Sequence, residues 1–221
     1  MGNLNRFDLG RIVKEYKTNC MFETGTFWGD GVAYALQSPF TRIVSVEIIP
    51  EIAEKAKKRF IVEEKVDILT TDSITALQEQ LPKIKENIVF WLDAHFPGAD
   101  AGLIAYDTGN DELFRLPLQK ELEMICALRK NHQDVIIVDD LRIYEDGPYE
   151  NGNVPADALP QQNRNADFIE KFFSETHFIF RSYLDEGYIL IFPKKKYKWN
   201  HLKFSDLFKS RPLKEDHYLL P

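Results

Sequence analysis

Two stretches of this chain are apolar at every consecutive position: "IVFWL" within residues 87–95 and "VIIV" within residues 134–140. A strand with one wet face alternates polar and apolar residues. A strand with no polar face must be covered on both sides, and helices packed over a parallel sheet are the usual cover. This feature argues against a half-exposed antiparallel sheet at the centre of the fold and for a layered α/β architecture.

The rest of the pattern agrees. Strands are expected at 19–25, 42–48 and 66–73, with helices at 31–37, 50–60 and 74–81. Pro50 suits a helix start, and Ile52, Ala53, Ala56 and Phe60 share one helical face. A helix over 118–130, striped by Leu118, Leu122, Ile125 and Leu128, joins the two apolar strands; its Glu121 and Glu123 read as surface residues. A helix at 166–173 leads to two β-runs, 177–184 and 188–194, around the turn "DEG", which is a hairpin signature. The expected fold is α/β: a Rossmann-like, doubly wound, mostly parallel seven-stranded sheet that ends in an antiparallel hairpin, its crossovers right-handed.

At 221 residues the chain fits one domain, taken as 1–196, followed by a basic C-terminal extension, 197–221, packed on or trailing from it. Two long loops, 97–116 and 141–162, leave the carboxyl ends of strands, where open α/β sheets bind ligands, and read as lids. There are 28 basic and 35 acidic residues, a net charge of −7, which argues against nucleic acid or a membrane as partner. The expected partners are a small-molecule substrate and, as a homodimer, a second copy of the chain. Cys20 and Cys126 lie in apolar stretches and read as reduced thiols. With no signal core and no apolar run near ~18 residues, a cytoplasmic location is expected.

The segment "MFETGTFWGDG", residues 21–31, carries the chemistry of the first crossover. Its glycines, Gly25, Gly29 and Gly31, allow a ligand to approach the backbone where a helix N-terminus offers free N–H groups. The spacing is not the GxGxxG of a dinucleotide site, and the loop has acids, Glu23 and Asp30, in place of bases. Those acids suit a ligand that is cationic at this point, such as a sulfonium with an amino-acid ammonium group. Glu47 ends the second strand 22 residues after Gly25, the offset at which an acid accepts hydrogen bonds from ribose hydroxyls. Asp72 and Ser73 end the third strand, where they can meet an adenine, cap the following helix, or do both.

"WLDAH" and "IIVDD" add Asp93, His95, Asp139 and Asp140 at neighbouring strand ends. Three converging carboxylates repel unless a cation joins them or one takes a proton, and oxygen ligands suit Mg²⁺ or another divalent cation.

Taken in series, "FETGTFWGDG", "IVSVEIIPEIAEKA", "VDILTTDS" and "VFWLDAH" resemble the first four motifs of class I S-adenosylmethionine-dependent methyltransferases. The nearest group is the metal-dependent, catechol O-methyltransferase-like small-molecule enzymes. The resemblance implies S-adenosylmethionine as cofactor. Glu23 and the loop of Gly25, Thr26, Phe27, Trp28, Gly29 and Gly31 would hold its methionine part, Glu47 its ribose, and Asp72 and Ser73 its adenine, with Asp93 nearby. It also implies a divalent metal on Asp93, Asp139 and Asp140, although the third position is commonly Asn in that group. The lysine base of those enzymes corresponds here to Phe96, so that role does not carry over. His95 is the local candidate for the base, with a strand-end packing role as its alternative; Asp139 could serve if no metal binds. Arg142 and Tyr144 can meet substrate or serve structure, and Trp28 can wall the pocket.

"WLDAHFPG" with "VDDLR" is also similar to bacterial methyltransferase-like proteins linked to surface polysaccharides and secondary metabolites, which directs the acceptor towards a hydroxylated small molecule such as a sugar or secondary metabolite, and towards a sugar rather than a catechol. A metal-dependent hydrolase or sugar-nucleotide enzyme and a non-catalytic cofactor-binding module are the competing readings.

Overall fold

The computed structural model describes residues 4–97, 115–155 and 164–194. The tail beyond 194 and most of the first lid lie outside the described residues, as does the end of the second.

The sheet has seven strands: β1 (Thr18–Thr24), β2 (Arg42–Glu47), β3 (Val66–Thr70), β4 (Asn87–Leu92), β5 (Val135–Val138), β6 (His177–Ser182) and β7 (Tyr188–Pro193). Their order is β3-β2-β1-β4-β5-β7-β6. The first five pair in parallel, and β7 runs antiparallel to both β5 and β6. Six strands therefore point one way and β7 alone opposes them, as the hairpin signature implied.

Among the described residues six α-helices cover the sheet: α1 (Leu9–Tyr16), α2 (Asp30–Ala35), α3 (Pro50–Arg59), α4 (Ser73–Gln80), α5 (Leu118–Leu128) and α6 (Asp167–Phe173). No helix among the described residues is long and apolar enough to cross a membrane. The two apolar cores confirm why β4 and β5 lack a polar face. Phe22, Phe90 and Ile136 point to one core with residues of α4, α5 and α6. Met21, Val89 and Ile137 point to the other with residues of α1 and α2.

Helix α1 had no counterpart in the sequence reading. It is a short amphipathic helix whose Leu9, Ile12, Val13 and Tyr16 are buried, started by Asp8, whose carboxylate accepts the Arg11 N–H. The α5 stripe also differs from expectation. Leu128 is 43% exposed, and Glu121 is buried at 1%. The buried line is Leu118, Glu121, Leu122 and Ile125, which keeps the helical spacing and shifts its lower end. The surface reading therefore holds for Glu123, which is exposed, and fails for Glu121.

The first residues of the second lid are bonded to the hairpin. Leu141 and Arg142 donate backbone N–H bonds to Gly187 and Glu186, while Glu150 and Asn151 donate to Tyr183 and Asp185. Residues 141–151 are thus tied to the hairpin turn at 183–187.

Candidate functional site

The crevice lies at the carboxyl ends of β1, β2, β4 and β5, flanking the point where the strand order reverses. Glu23 and Ser45 are register partners on β1 and β2, and their side chains share the α2 face of the sheet. The Ser45 hydroxyl donates to Glu23 Oε2 at 2.5 Å, so the Thr26 hydroxyl, 2.6 Å away, is left to donate to Ser45. Glu23 is 1% exposed. Burial pushes its carboxyl up to about 8, against the opposing Ser45 bond.

Two glycines are needed here for space. A Cβ on Gly31 would lie 1.9 Å from Glu23 Oε1, and one on Gly25, whose φ is +84°, would lie 2.6 Å from the Asp93 carbonyl oxygen. The loop between them is held by Glu47, whose carboxylate accepts N–H bonds from Phe27 and Ile49, each at 2.9 Å. Each oxygen keeps a second lone pair for another donor. Asp30 is paired with Arg59 at 2.7 Å on the surface. Trp28 is 38% exposed, and Lys55 Nζ sits 4.7 Å from its ring centroid.

Asp72 is the N-cap of α4. Its two oxygens accept from the Thr75 N–H at 2.8 Å and the Thr75 hydroxyl at 2.7 Å. The cap is thus realised. Ser73 follows as the first helical residue and is buried.

The strand-end acids do converge. One ligand atom each from Asp93, His95 and Asp140 falls within 4.8 Å of the others. His95 stands between the two carboxylates, its Nε2 donating to Asp140 at 2.9 Å and its Nδ1 lying 3.4 Å from Asp93. Asp139 lies outside that triplet, yet both its buried oxygens lack a hydrogen-bond partner among the described residues. Burial first, then Asp93 and Asp140, drive the Asp139 carboxyl well above its ordinary value. Asp93 is raised by burial and by Asp140 and Glu23. Burial opposes ionisation of Asp140, but His95 and Arg142 outweigh it and hold that carboxyl low. A site with one ionised acid and two forced towards neutrality is what repulsion between close carboxylates produces when nothing offsets it.

Arg142 is an ion-pair residue here, 3.5 Å from Asp140 and 3.7 Å from Glu186. Tyr144 packs edge-on against Phe168. Where the resemblance expected a lysine, Phe96 has the Arg115 guanidinium 5.3 Å from its ring centroid.

The backbone carries strain around this crevice. Of the five non-glycine residues at positive φ among the described residues, three border it: Phe27 at 48°, Phe96 at 42° and Asp140 at 53°. Such residues collect where function over-determines the backbone.

Sequence reasoning missed Ser45, Glu121 and Arg115. For Ser45 the signal was a lone hydroxyl in the apolar strand "RIVSVEI". Glu121 was legible from its spacing, three residues after Leu118 and four before Ile125. Arg115 lies in the loop and had no signal.

No protein-family model matches the sequence, and no curated protein is similar to it. Solved structures do match in fold. A caffeoyl-CoA O-methyltransferase-type protein of Staphylococcus aureus is 13% identical, with 87% of this chain and 84% of that one covered and a TM-score of 0.57. A methyltransferase of Podospora anserina, solved with S-adenosylhomocysteine bound, is 13% identical over 83% of this chain and 75% of its own, with a TM-score of 0.54. A protein of Clostridium thermocellum described as an rRNA methylase is 9% identical over 87% of this chain and all of its own, at 0.55. The names of the Staphylococcus aureus and Clostridium thermocellum proteins imply different acceptors, while the fold is shared: the chain has the class I methyltransferase fold.

Proposed function

We propose that the protein is an S-adenosylmethionine-dependent O-methyltransferase acting on a hydroxylated small molecule, with a divalent cation at the strand-end acids. The observation that carries the cofactor is the Glu23–Gly31 pair. A buried carboxyl that burial raises to about 8 lies beneath a glycine with no room for a Cβ. That arrangement suits a cationic group resting on the loop, and such a group would hold Glu23 in its ionised form. Glu47, at the end of β2, has lone pairs left for a ribose.

The donor set also fits a cation. Asp93 and Asp140 offer carboxylate oxygens, and Asp139 two buried oxygens that lack a hydrogen-bond partner among the described residues. A hard divalent ion held there would supply charge neutralisation and would acidify a substrate hydroxyl. The chain's own residues do the rest. Asp140 fixes the His95 ring through the 2.9 Å bond. His95 is then placed to take the hydroxyl proton on the other nitrogen, once that nitrogen turns from Asp93. The Arg115 cation beside Phe96 can stabilise developing negative charge but cannot act as a base, because it stays protonated. Positioning and charge complementarity provide most of the catalysis.

Net charge favours a small acceptor over nucleic acid, and the strand-end polar cluster suits a polyhydroxylated one, such as a sugar. The test has two stages: calorimetry with S-adenosylhomocysteine, then transfer of labelled methyl groups to panels of sugars and catechols with Mg²⁺. No binding at high micromolar concentration overturns the cofactor. Binding without any transfer would favour a non-catalytic module.

A further inference from the structure

Arg142 stands between two acids. Its Nε lies 3.5 Å from Asp140 Oδ1, and its Nη2 lies 3.7 Å from Glu186 Oε1. Both are ion-pair distances, and both exceed the roughly 2.7–3.2 Å of a formed N–H···O bond. The guanidinium is therefore held by two charges and bonded to neither carboxylate. The acids themselves are tied down. Asp140 Oδ2 accepts from His95 Nε2 at 2.9 Å, while its buried Oδ1, the oxygen paired with Arg142, has no hydrogen-bond partner among the described residues. Glu186 sits in the hairpin turn. Asn151 Nδ2 donates to its Oε1 at 2.9 Å, and its carbonyl oxygen accepts the Arg142 backbone N–H at 3.1 Å. Two fixed carboxylates thus flank one long side chain that is free to lean towards either.

A cation held by Asp93 and Asp140 would share Asp140 with that guanidinium. Like charges this close repel strongly where water is scarce. Arg142 cannot relieve the repulsion by losing its proton, but it can move, and Glu186 is the second anion within its reach. Resting on the cation reading above, we propose that Glu186 is a positioning residue that draws the Arg142 guanidinium off Asp140 and so sets how tightly the strand-end acids hold a divalent ion. Arg142 competes with the ion for Asp140, and Glu186 offsets that competition. Asn151, by holding Glu186, brings the second lid into the same device.

The test is calorimetry of the full chain with Mn²⁺ near neutral pH. Arg142→Ala removes the competing charge and should tighten Mn²⁺ by about tenfold. A gain of affinity is not something misfolding produces. Glu186→Gln keeps an acceptor for Asn151 but leaves Arg142 only Asp140 as an anion, and should weaken Mn²⁺ by about fivefold, within the range of coupling between neighbouring charges. In the Arg142→Ala background the same Glu186→Gln change should cost less than about twofold, because its effect runs through Arg142. An Arg142→Ala variant that binds Mn²⁺ no tighter than the wild type overturns the proposal. So does a Glu186→Gln loss of equal size in both backgrounds, which would make Glu186 a charge acting on the ion directly. A wild type that binds no Mn²⁺ overturns the cation reading as well.

Discussion

The Ser45 hydroxyl donates to Glu23 across 2.5 Å, linking β2 to β1 directly beneath the glycine loop. It is the one bond that compensates Glu23 for burial among those that set its proton affinity. Ser45→Ala should cost about 1–3 kcal/mol, the range for stranding a buried polar partner. Urea denaturation reads the loss, and calorimetry should show weaker binding of S-adenosylhomocysteine. A variant as stable as the wild type would remove Ser45 from the site.

Stability should fall with rising pH through Glu23. Its carboxyl moves from 4.5 to about 8 on burial, so between those values the folded chain holds a proton that the unfolded chain has lost. The stabilisation is complete below the lower value and is lost as pH rises through the upper one, with a slope of at most about 1.4 kcal/mol per pH unit. Glu121, raised from 4.5 to about 7, adds in the same sense. Urea titrations from pH 6 to 9 should show a flatter profile for Glu23→Gln than for the wild type. Binding of S-adenosylmethionine at pH 7 should release a proton, visible as a binding heat that varies with the ionisation heat of the buffer.

Mn²⁺ should raise the melting temperature of the wild type, because an ion that binds only the folded state stabilises it. Asp140→Ala and Asp93→Ala each remove one oxygen of the triplet with His95. Either should weaken Mn²⁺ by about tenfold or more, at least the effect of losing an outer-shell partner. A metal-induced shift of the same size in both variants would place the ion elsewhere.

Gly25→Ala puts a Cβ 2.6 Å from a backbone oxygen at a φ of +84°. Neither atom can move cheaply, and a loss of about 2 kcal/mol or more is expected. In Gly31→Ala the new methyl meets the Glu23 side chain at 1.9 Å, which can be displaced. That variant should melt closer to the wild type while losing cofactor affinity. Equal melting losses in the two would contradict this division.

Arg129 separates stability from the site. It is 4% exposed, forms a bidentate pair with Asp134 at 2.8 Å, and donates to the carbonyls of Ile84 and Glu86, each at 2.6 Å. All of these lie at the amino ends of β4 and β5, away from the crevice. Arg129→Ala strands a buried aspartate and should cost about 3–5 kcal/mol. Arg129→Lys, assayed well below its melting point, should leave cofactor affinity unchanged.

The sheet was legible because β4 and β5 have no polar face and the glycine turn sits between β1 and α2; periodicity records such things directly. The convergence of Asp93 and Asp140 was legible for the same reason, since parallel strands end together. What periodicity does not record is which way a side chain turns after its strand ends. Asp140 takes a left-handed backbone and meets His95, while adjacent Asp139 stays outside that triplet, its oxygens without a hydrogen-bond partner among the described residues. The charge of Glu121 argued for solvent; its position in the stripe argued for the interior, and packing decided.

The left-handed backbones at Phe27, Phe96 and Asp140 have an evolutionary corollary. Glycine at any of the three would relax the main chain. It would also delete a ring or a carboxylate from the rim of the crevice. A population of sequences screened for heat tolerance alone should therefore drift towards glycine there, and the rim persists only while something selects for what it holds.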